Sequence, residues 1–430
     1  MPESRTLHRR DVRTLLLAAL GGALEFYDFI IFVFFATVIA QLFFPPDTPE
    51  WLRQLQAFGI FAAGYLARPL GGVVLAHFGD LVGRKRMFML SVLLMAVPTL
   101  LMGLLPTYAQ AGLFAPIALL VLRLTQGAAV GGEVPGAWVF VSEHVPAGRV
   151  GLACGSLTAG LTFGILLGSL VASAVNSFWT PAEVAAGVWR WPFLLGGVFG
   201  LMAMWLRRFL HETPVFEQMR ERRALVQGLP LHTVLRGHGR AVLECMGLSW
   251  MLTAGIVVVI LMTPTLVQKA FGIAAADALP ANTLATFCLT VGCVAYGIAA
   301  DRFGAARVLV AGALMLAVSS LGLYTVLDRA PQHFVAMYAL AGFTVGVVGV
   351  VPALMVRAFP PAVRFSGISF SYNLAYALAG GLTPLLVTVW MRSLTVAPAV
   401  YVALVCVVGV GVASAIWRRD GGAGKSEIGA

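Results

Sequence analysis

Long apolar runs separated by short polar loops dominate this chain. Runs long enough to cross a hydrocarbon core of about 30 Å occupy roughly 14–40, 54–78, 87–106, 113–142, 150–176, 189–207, 242–268, 281–300, 306–327, 333–357, 364–391 and 397–417. They predict twelve spanning helices, six on each side of a polar segment. The chain then divides into a six-helix bundle over 1–207, a linker over 208–240, a second six-helix bundle over 241–417 and a tail over 418–430. Within the linker, Glu217, Glu221 and the arginines around them predict a short surface helix. The two halves also repeat. Gly79-Asp80-Leu81-Val82-Gly83-Arg84-Lys85-Arg86 and Ala300-Asp301-Arg302-Phe303-Gly304-Ala305-Ala306-Arg307 each join two apolar runs, and their aspartates lie 221 positions apart in a chain of 430. A polar loop recurring at half the chain length marks two copies of one membrane unit, as in secondary transporters. The expected fold is an all-α integral membrane protein with six-plus-six pseudo-symmetry.

Charge sets the orientation. Arg5, Arg9, Arg10 and Arg13 precede span one; Arg84, Lys85 and Arg86 follow span two; Arg149 follows span four. The linker is rich in arginine, and Arg302, Arg307, Arg357, Arg364, Arg418, Arg419 and Lys425 fall on the same side. The opposite loops hold only Arg53, Arg190, Lys269, Arg329 and Arg392. The positive-inside rule then places both termini and the linker in the cytoplasm. The net charge of +10 is this topology signal facing an anionic leaflet, not a nucleic-acid footprint.

Composition agrees with the run pattern. The chain is 59% hydrophobic and 11% charged, with mean hydropathy +0.89, against about 25% charged residues in soluble domains. That excludes a large soluble protein. The first run is too long for the apolar core of a signal peptide. Five cysteines without a CxxC pair read as small core residues. Seven scattered histidines carry no ligand spacing, so neither a metal nor a cofactor is expected.

At the first hinge, Gly83 suits a tight loop that needs a permissive backbone. Asp80 can cap the start of a neighbouring helix or pair with a basic residue. Arg84 and Lys85 can bind lipid phosphates or an acidic partner. Such contacts would hold one conformation shut, although a plain topology anchor would look the same. The recurrence at Asp301-Arg302 favours the gate.

Ionisable groups at bilayer depth are functional candidates by default. Glu25 and Asp28 share one helix face by their i, i+3 spacing. Glu25 and Arg123 both fall near the midplane, since each residue adds about 1.5 Å of rise. Glu133 lies ten residues beyond Arg123, and Arg68 precedes Pro69 on span two. Carboxylates and an arginine at one depth make a workable proton switch; a permanent structural ion pair is the alternative. Glu133 reads equally as packing or as a proton relay. The 221-residue offset maps Glu25, Asp28, Arg123 and Glu133 onto Met246, Ser249, Thr344 and Leu354. Proton coupling is therefore expected in the first half. The second half contributes shape and neutral groups on span eleven, where Asn373 and Tyr376 stand out beside Ser371 and Tyr372. With Arg68, Arg123 and Gln126 they form the expected substrate set. Gly151, Gly155, Gly160, Gly164 and Gly168 form a close-packing stripe on span five, readable as packing or as a seat for rocking.

The hinge resembles the G-x-x-x-D-R-x-G-R-K loop of the major facilitator superfamily. Leu81 departs from its arginine, and the second copy lacks the basic pair after Gly304. The resemblance extends over nearly the whole chain to the metabolite:proton symporter family. It rests on Phe43-Phe44-Pro45, Arg68-Pro69-Leu70-Gly71-Gly72, Arg123-Leu124-Thr125-Gln126-Gly127, Gly131-Gly132-Glu133, Trp189-Arg190-Trp191-Pro192-Phe193, Glu212-Thr213-Pro214-Val215-Phe216 and Phe359-Pro360-Pro361-Ala362-Val363-Arg364-Phe365-Ser366-Gly367, with Asn373. It implies a central cavity and proton-driven uptake, with a proton-transfer role at Arg123. Substrates of that family include α-ketoglutarate, citrate, shikimate, and proline or glycine betaine. A glycine-rich tail in place of a coiled coil argues against osmosensing. A span-five glycine stripe without the proline of antiporters argues against drug efflux. The expectation is a bacterial inner-membrane proton symporter for a mono-, di- or tricarboxylate, monomeric among its lipids and not an enzyme. A zwitterion or osmolyte symporter is the alternative and an efflux antiporter a third.

Overall fold

The computed structural model describes residues 8–209, 211–221 and 230–426, and every regular element among them is helical. Eleven helices are long and apolar enough to span a membrane, and one bent pair completes a twelfth. We number the spans α1 (Asp11–Phe34), α2 (Glu50–Leu81), α3 (Arg84–Leu104), α4 (Phe114–His144), α5 (Ala147–Phe178), α6 (Pro181–Val188 with Arg190–Arg207, bent by 49°), α7 (Gly239–Phe271), α8 (Asp277–Phe303), α9 (Ala305–Arg329), α10 (Pro331–Ala358), α11 (Pro361–Trp390) and α12 (Ala397–Arg419). Helices satisfy every backbone polar group within one segment, which hydrocarbon demands. Their outer faces accordingly present large apolar side chains such as Leu66, Leu70, Val318 and Leu385.

The linker holds the short helix expected around Glu217, over Pro214–Glu221, and a second one over Pro230–Gly237. Both keep one apolar face down, through Phe216 and Val234, which are buried. Arg222 and Arg223 lie outside the described residues. The first run ends earlier than its hydropathy suggests. Regular α-helix stops at Phe35 and resumes over Ala36–Phe43. The repeat-related stretch of α7, Gly255–Met262, is wound as π-helix. Both halves therefore break regular winding at the same place in the repeat, and such irregularities commonly mark functional positions.

The two most extensive contacts between the halves are α2 against α11 and α5 against α8, and the repeat relates one to the other. The glycine stripe on α5 serves two partners. Gly160 and Gly164 press onto the α1 backbone at Ala19 and Ala23, inside the first half. Gly151 and Gly155 press onto Gly297 and Cys293 of α8, across the halves. A single line of small residues thus builds both a bundle and a joint.

Candidate transport site and gate

Gly83 (φ 130°) and Gly304 (φ 91°) both turn the chain in a region open to glycine, so α3 and α9 start in the same way. At the first hinge, Arg84 pairs with Asp80 at 2.8 Å and approaches Glu143 of α4 at 3.6 Å. Its Nη1 also donates to the Gly79 carbonyl (2.9 Å) and its Nη2 to the Pro361 carbonyl at the start of α11 (2.8 Å). Asp80 accepts from the Ser366 backbone N–H (2.9 Å) and hydroxyl (2.7 Å), capping α11. Arg364 of α11 reaches Glu143 at 3.1 Å. The linker adds a third party: Glu212 accepts from the backbone N–H groups of Arg84 (3.1 Å) and Lys85 (3.2 Å). Thr213 donates to Glu143 at 2.7 Å. Asp80, Arg84 and Glu143 are buried, so the hinge end is fastened shut between the halves.

The second hinge is simpler. Asp301 accepts from the N–H groups of Gly151 (2.7 Å) and Leu152 (2.8 Å), capping α5 across the joint. Arg302 stands exposed beside it. Arg357 adds one bond, to the Ala147 carbonyl, at 3.2 Å. Each hinge aspartate therefore caps a helix of the opposite half, and among the described residues buried ion pairs are seen at the first hinge and not at the second.

The charges within the first half separate into three places. Arg123 lies 3.9 Å from the centroid of Phe32 and 5.3 Å from that of Phe61, and donates to the Gln126 side-chain carbonyl. Gln126 donates to the Thr99 hydroxyl at 2.7 Å, and Thr99 donates to the Met95 carbonyl at 2.9 Å. Asp28 is fully buried on the far side of Thr99, its carboxylate laid against Gly196 and Gly200 of α6. Neither Asp28 oxygen has a hydrogen-bond partner among the described residues. Thr99 and Gln126 thus lie between Asp28 and Arg123. The side chain of Glu25 lies outside the described residues. Glu133 occupies a third place, nearer the hinge, paired with buried Arg207 of α6 at 2.8 Å and accepting from Ser91. Arg207 in turn packs 3.6 Å from the centroid of Phe88.

At the centre of the molecule, Arg68 of α2 is surrounded by tyrosines from both halves. Its guanidinium lies 4.1 Å from the Tyr376 centroid, 5.4 Å from Tyr372 and 5.6 Å from Tyr65. Tyr65 and Tyr376 stack nearly parallel across the joint at 5.7 Å. The Arg68 Nε–H donates to the Asn373 side-chain carbonyl at 3.3 Å, while its Nη2 has no hydrogen-bond partner among the described residues. Asn373 donates onward to the Gly131 carbonyl at 2.6 Å, and Ser369 to Gly72 (3.0 Å) and Gly131 (3.1 Å). The three tyrosines also line a cavity between the halves, walled further by Phe26, Trp138 and Leu252. Its volume is about 30 Å³, room for one or two waters.

Hydropathy and spacing point to Arg68, Arg123, Glu133 and the hinges, but not to what meets them. Nothing in spacing or hydropathy marks Glu143, Arg207, Glu212 and Ser369 as the residues that meet them. Glu143 and Glu212 left a signal, since each is an acid at the end of a span in a region otherwise rich in arginine.

The sequence matches the profile of the family described as "Sugar (and other) transporter" over residues 14–229. It is 32% identical over 391 residues to the shikimate transporter of Escherichia coli (strain K12), covering 89% of each chain. It is 32% identical over 385 residues to the citrate-proton symporter of Klebsiella pneumoniae, covering 88% of this chain and 85% of that one. A glycine betaine/proline/ectoine/pipecolic acid transporter of Dickeya dadantii (strain 3937) is 29% identical over 416 residues, covering 93% of this chain and 81% of its own. The fold superimposes on that of the proton:xylose symporter XylE with a TM-score of 0.78 at 18% identity, covering 95% of both chains. The chain therefore belongs to the major facilitator superfamily, in the branch of sugar and metabolite transporters that holds the metabolite:proton symporters.

Proposed function

We propose that the protein takes up a small organic acid together with a proton across a bacterial inner membrane, with its hinge end and termini in the cytoplasm. The observation that carries this reading is Arg68. A buried guanidinium with an unmatched N–H is costly, and a carboxylate supplies the charge and the acceptor that the site lacks. The shikimate transporter and the citrate-proton symporter among its relatives, by their names, handle acids of this kind. Asp28 is the proton carrier in this scheme. An ionised carboxylate without donors is expensive in such a place, so the residue crosses the cycle as a neutral acid and discharges on the cytoplasmic side. Arg123, which stands beyond Thr99 and Gln126 from it, responds to that change in this scheme.

A second reading has support from the betaine and proline relative. Aromatic cages recognise quaternary ammonium groups, and Tyr65, Tyr372 and Tyr376 form such a cage. Here the cage already holds the Arg68 cation, which would repel a second one. That favours the acid.

Proteoliposomes test this directly. An imposed inward proton gradient should drive accumulation of shikimate or citrate above the level reached with proline or glycine betaine. Equal uptake of acids with and without the gradient would rule out proton symport, and selective uptake of betaine would rule out the acid.

A further inference from the structure

The hydrogen bonds around Asn373 connect two events that a transporter must couple, ligand capture and release of the cytoplasmic half. Asn373 belongs to α11 of the second half, yet it bonds only to the first half and to its own helix. Its carbonyl oxygen holds the Arg68 Nε–H at 3.3 Å, and its amide donates to the Gly131 carbonyl at 2.6 Å and the Ser369 carbonyl at 2.8 Å. It is fully buried, and Gly72 has no room for a Cβ beside it. These bonds must break when α11 leaves α2 and α4. The same guanidinium carries the unmatched Nη2. Arg68 is therefore shared between a latch on one edge and a vacant donor on the other.

We propose that Asn373 is a positioning residue that makes opening of the cytoplasmic half depend on an acid at Arg68. A carboxylate that engages Arg68 competes with the neutral Asn373 carbonyl for the guanidinium, since it brings a full opposite charge and can accept two parallel N–H bonds from the fork. The guanidinium turns toward the acid, the Nε bond to α11 is lost, and at this level the joint is left to the Asn373–Gly131 and Ser369 bonds. This inference rests on the reading of Arg68 as the acid's anchor.

Hydrogen exchange of the peptide covering 361–370 in the purified full-length protein reads opening at the start of α11. In the wild type, shikimate or citrate should speed exchange there. Asn373→Ala should open this segment without any acid, raising the open-to-closed ratio on the order of tenfold for a lost bond to a charged group, and adding acid should change it no further. Ser369→Ala removes bonds across the same joint without touching Arg68, so it should raise basal exchange and keep the response to acid. Asn373→Ser, too short to reach Arg68, should behave as Asn373→Ala and covers the case in which the alanine variant fails to fold. An unchanged acid response in either Asn373 variant overturns the inference. If instead Arg68→Ala retains thermal stabilisation by the acid, the anchor reading itself has failed, and the two failures are distinct.

Discussion

At the candidate site, the Asp28 carboxylate and the Arg68 Nη2 are buried without a hydrogen-bond partner among the described residues. Asp28 rests against the backbone of Gly196 and Gly200, where any side chain would displace it. Asp28→Asn keeps the shape and removes the titration, so it should retain exchange of labelled acid across the membrane and lose accumulation under a proton gradient. Uptake that still follows the gradient in this variant would remove Asp28 from the coupling. Arg68→Lys keeps the charge but loses the flat guanidinium among the tyrosines; we expect at least a tenfold rise in KM for the acid in transport assays. Glu133 makes a contrast, because its charge is already matched by Arg207. Breaking a buried pair from one side costs about 3–5 kcal/mol. Glu133→Gln should therefore lower the thermal unfolding midpoint while leaving the pH dependence of uptake in place.

Helix against helix, the decisive parts are the points where side chains are missing. Gly155 meets the Cys293 carbonyl of α8, and even a Cβ there would stand 2.5 Å from it. Gly155→Leu should force the α5–α8 joint apart and abolish transport, whereas Gly168→Leu, on the roomier end of the same stripe, should be tolerated in the same uptake assay. The stripe was legible in the sequence because glycine in an apolar run has few uses other than close packing. Its division between α1 and α8 was not, because spacing fixes which residues share a face and says nothing about which neighbour covers each turn. Asp28 and Arg123 illustrate the same limit. Their depth could be counted from the spans, but α1 turns Asp28 toward α6, and Thr99 and Gln126 fill the gap that the sequence reading left empty.

For the whole molecule, twelve spans and an internal repeat could be read directly, since lipid forces every span to declare itself as a long apolar helix. The lock at the hinge end could not, because Glu143, Arg364 and Glu212 are scattered in sequence and come together only through the packing of α4, α11 and the linker on the hinge. Glu143→Gln removes the charge that both Arg84 and Arg364 share. It should bias the protein toward opening on that side, seen as faster hydrogen exchange across the ends of α4 and α11. Unchanged exchange there would show that the aspartate cap at Ser366 suffices alone.

One member of that lock is borrowed from the tether. Glu212 sits in the stretch that ties the two bundles together, yet it grips the first bundle through Arg84 and Lys85. The halves are therefore not modules that can be recombined at any point between them. A chimera joined to the second half of a relative beyond Glu221 carries its own fastener with it, while one joined before Glu212 must rely on a foreign strap. Of the two junctions, only the later one should preserve transport.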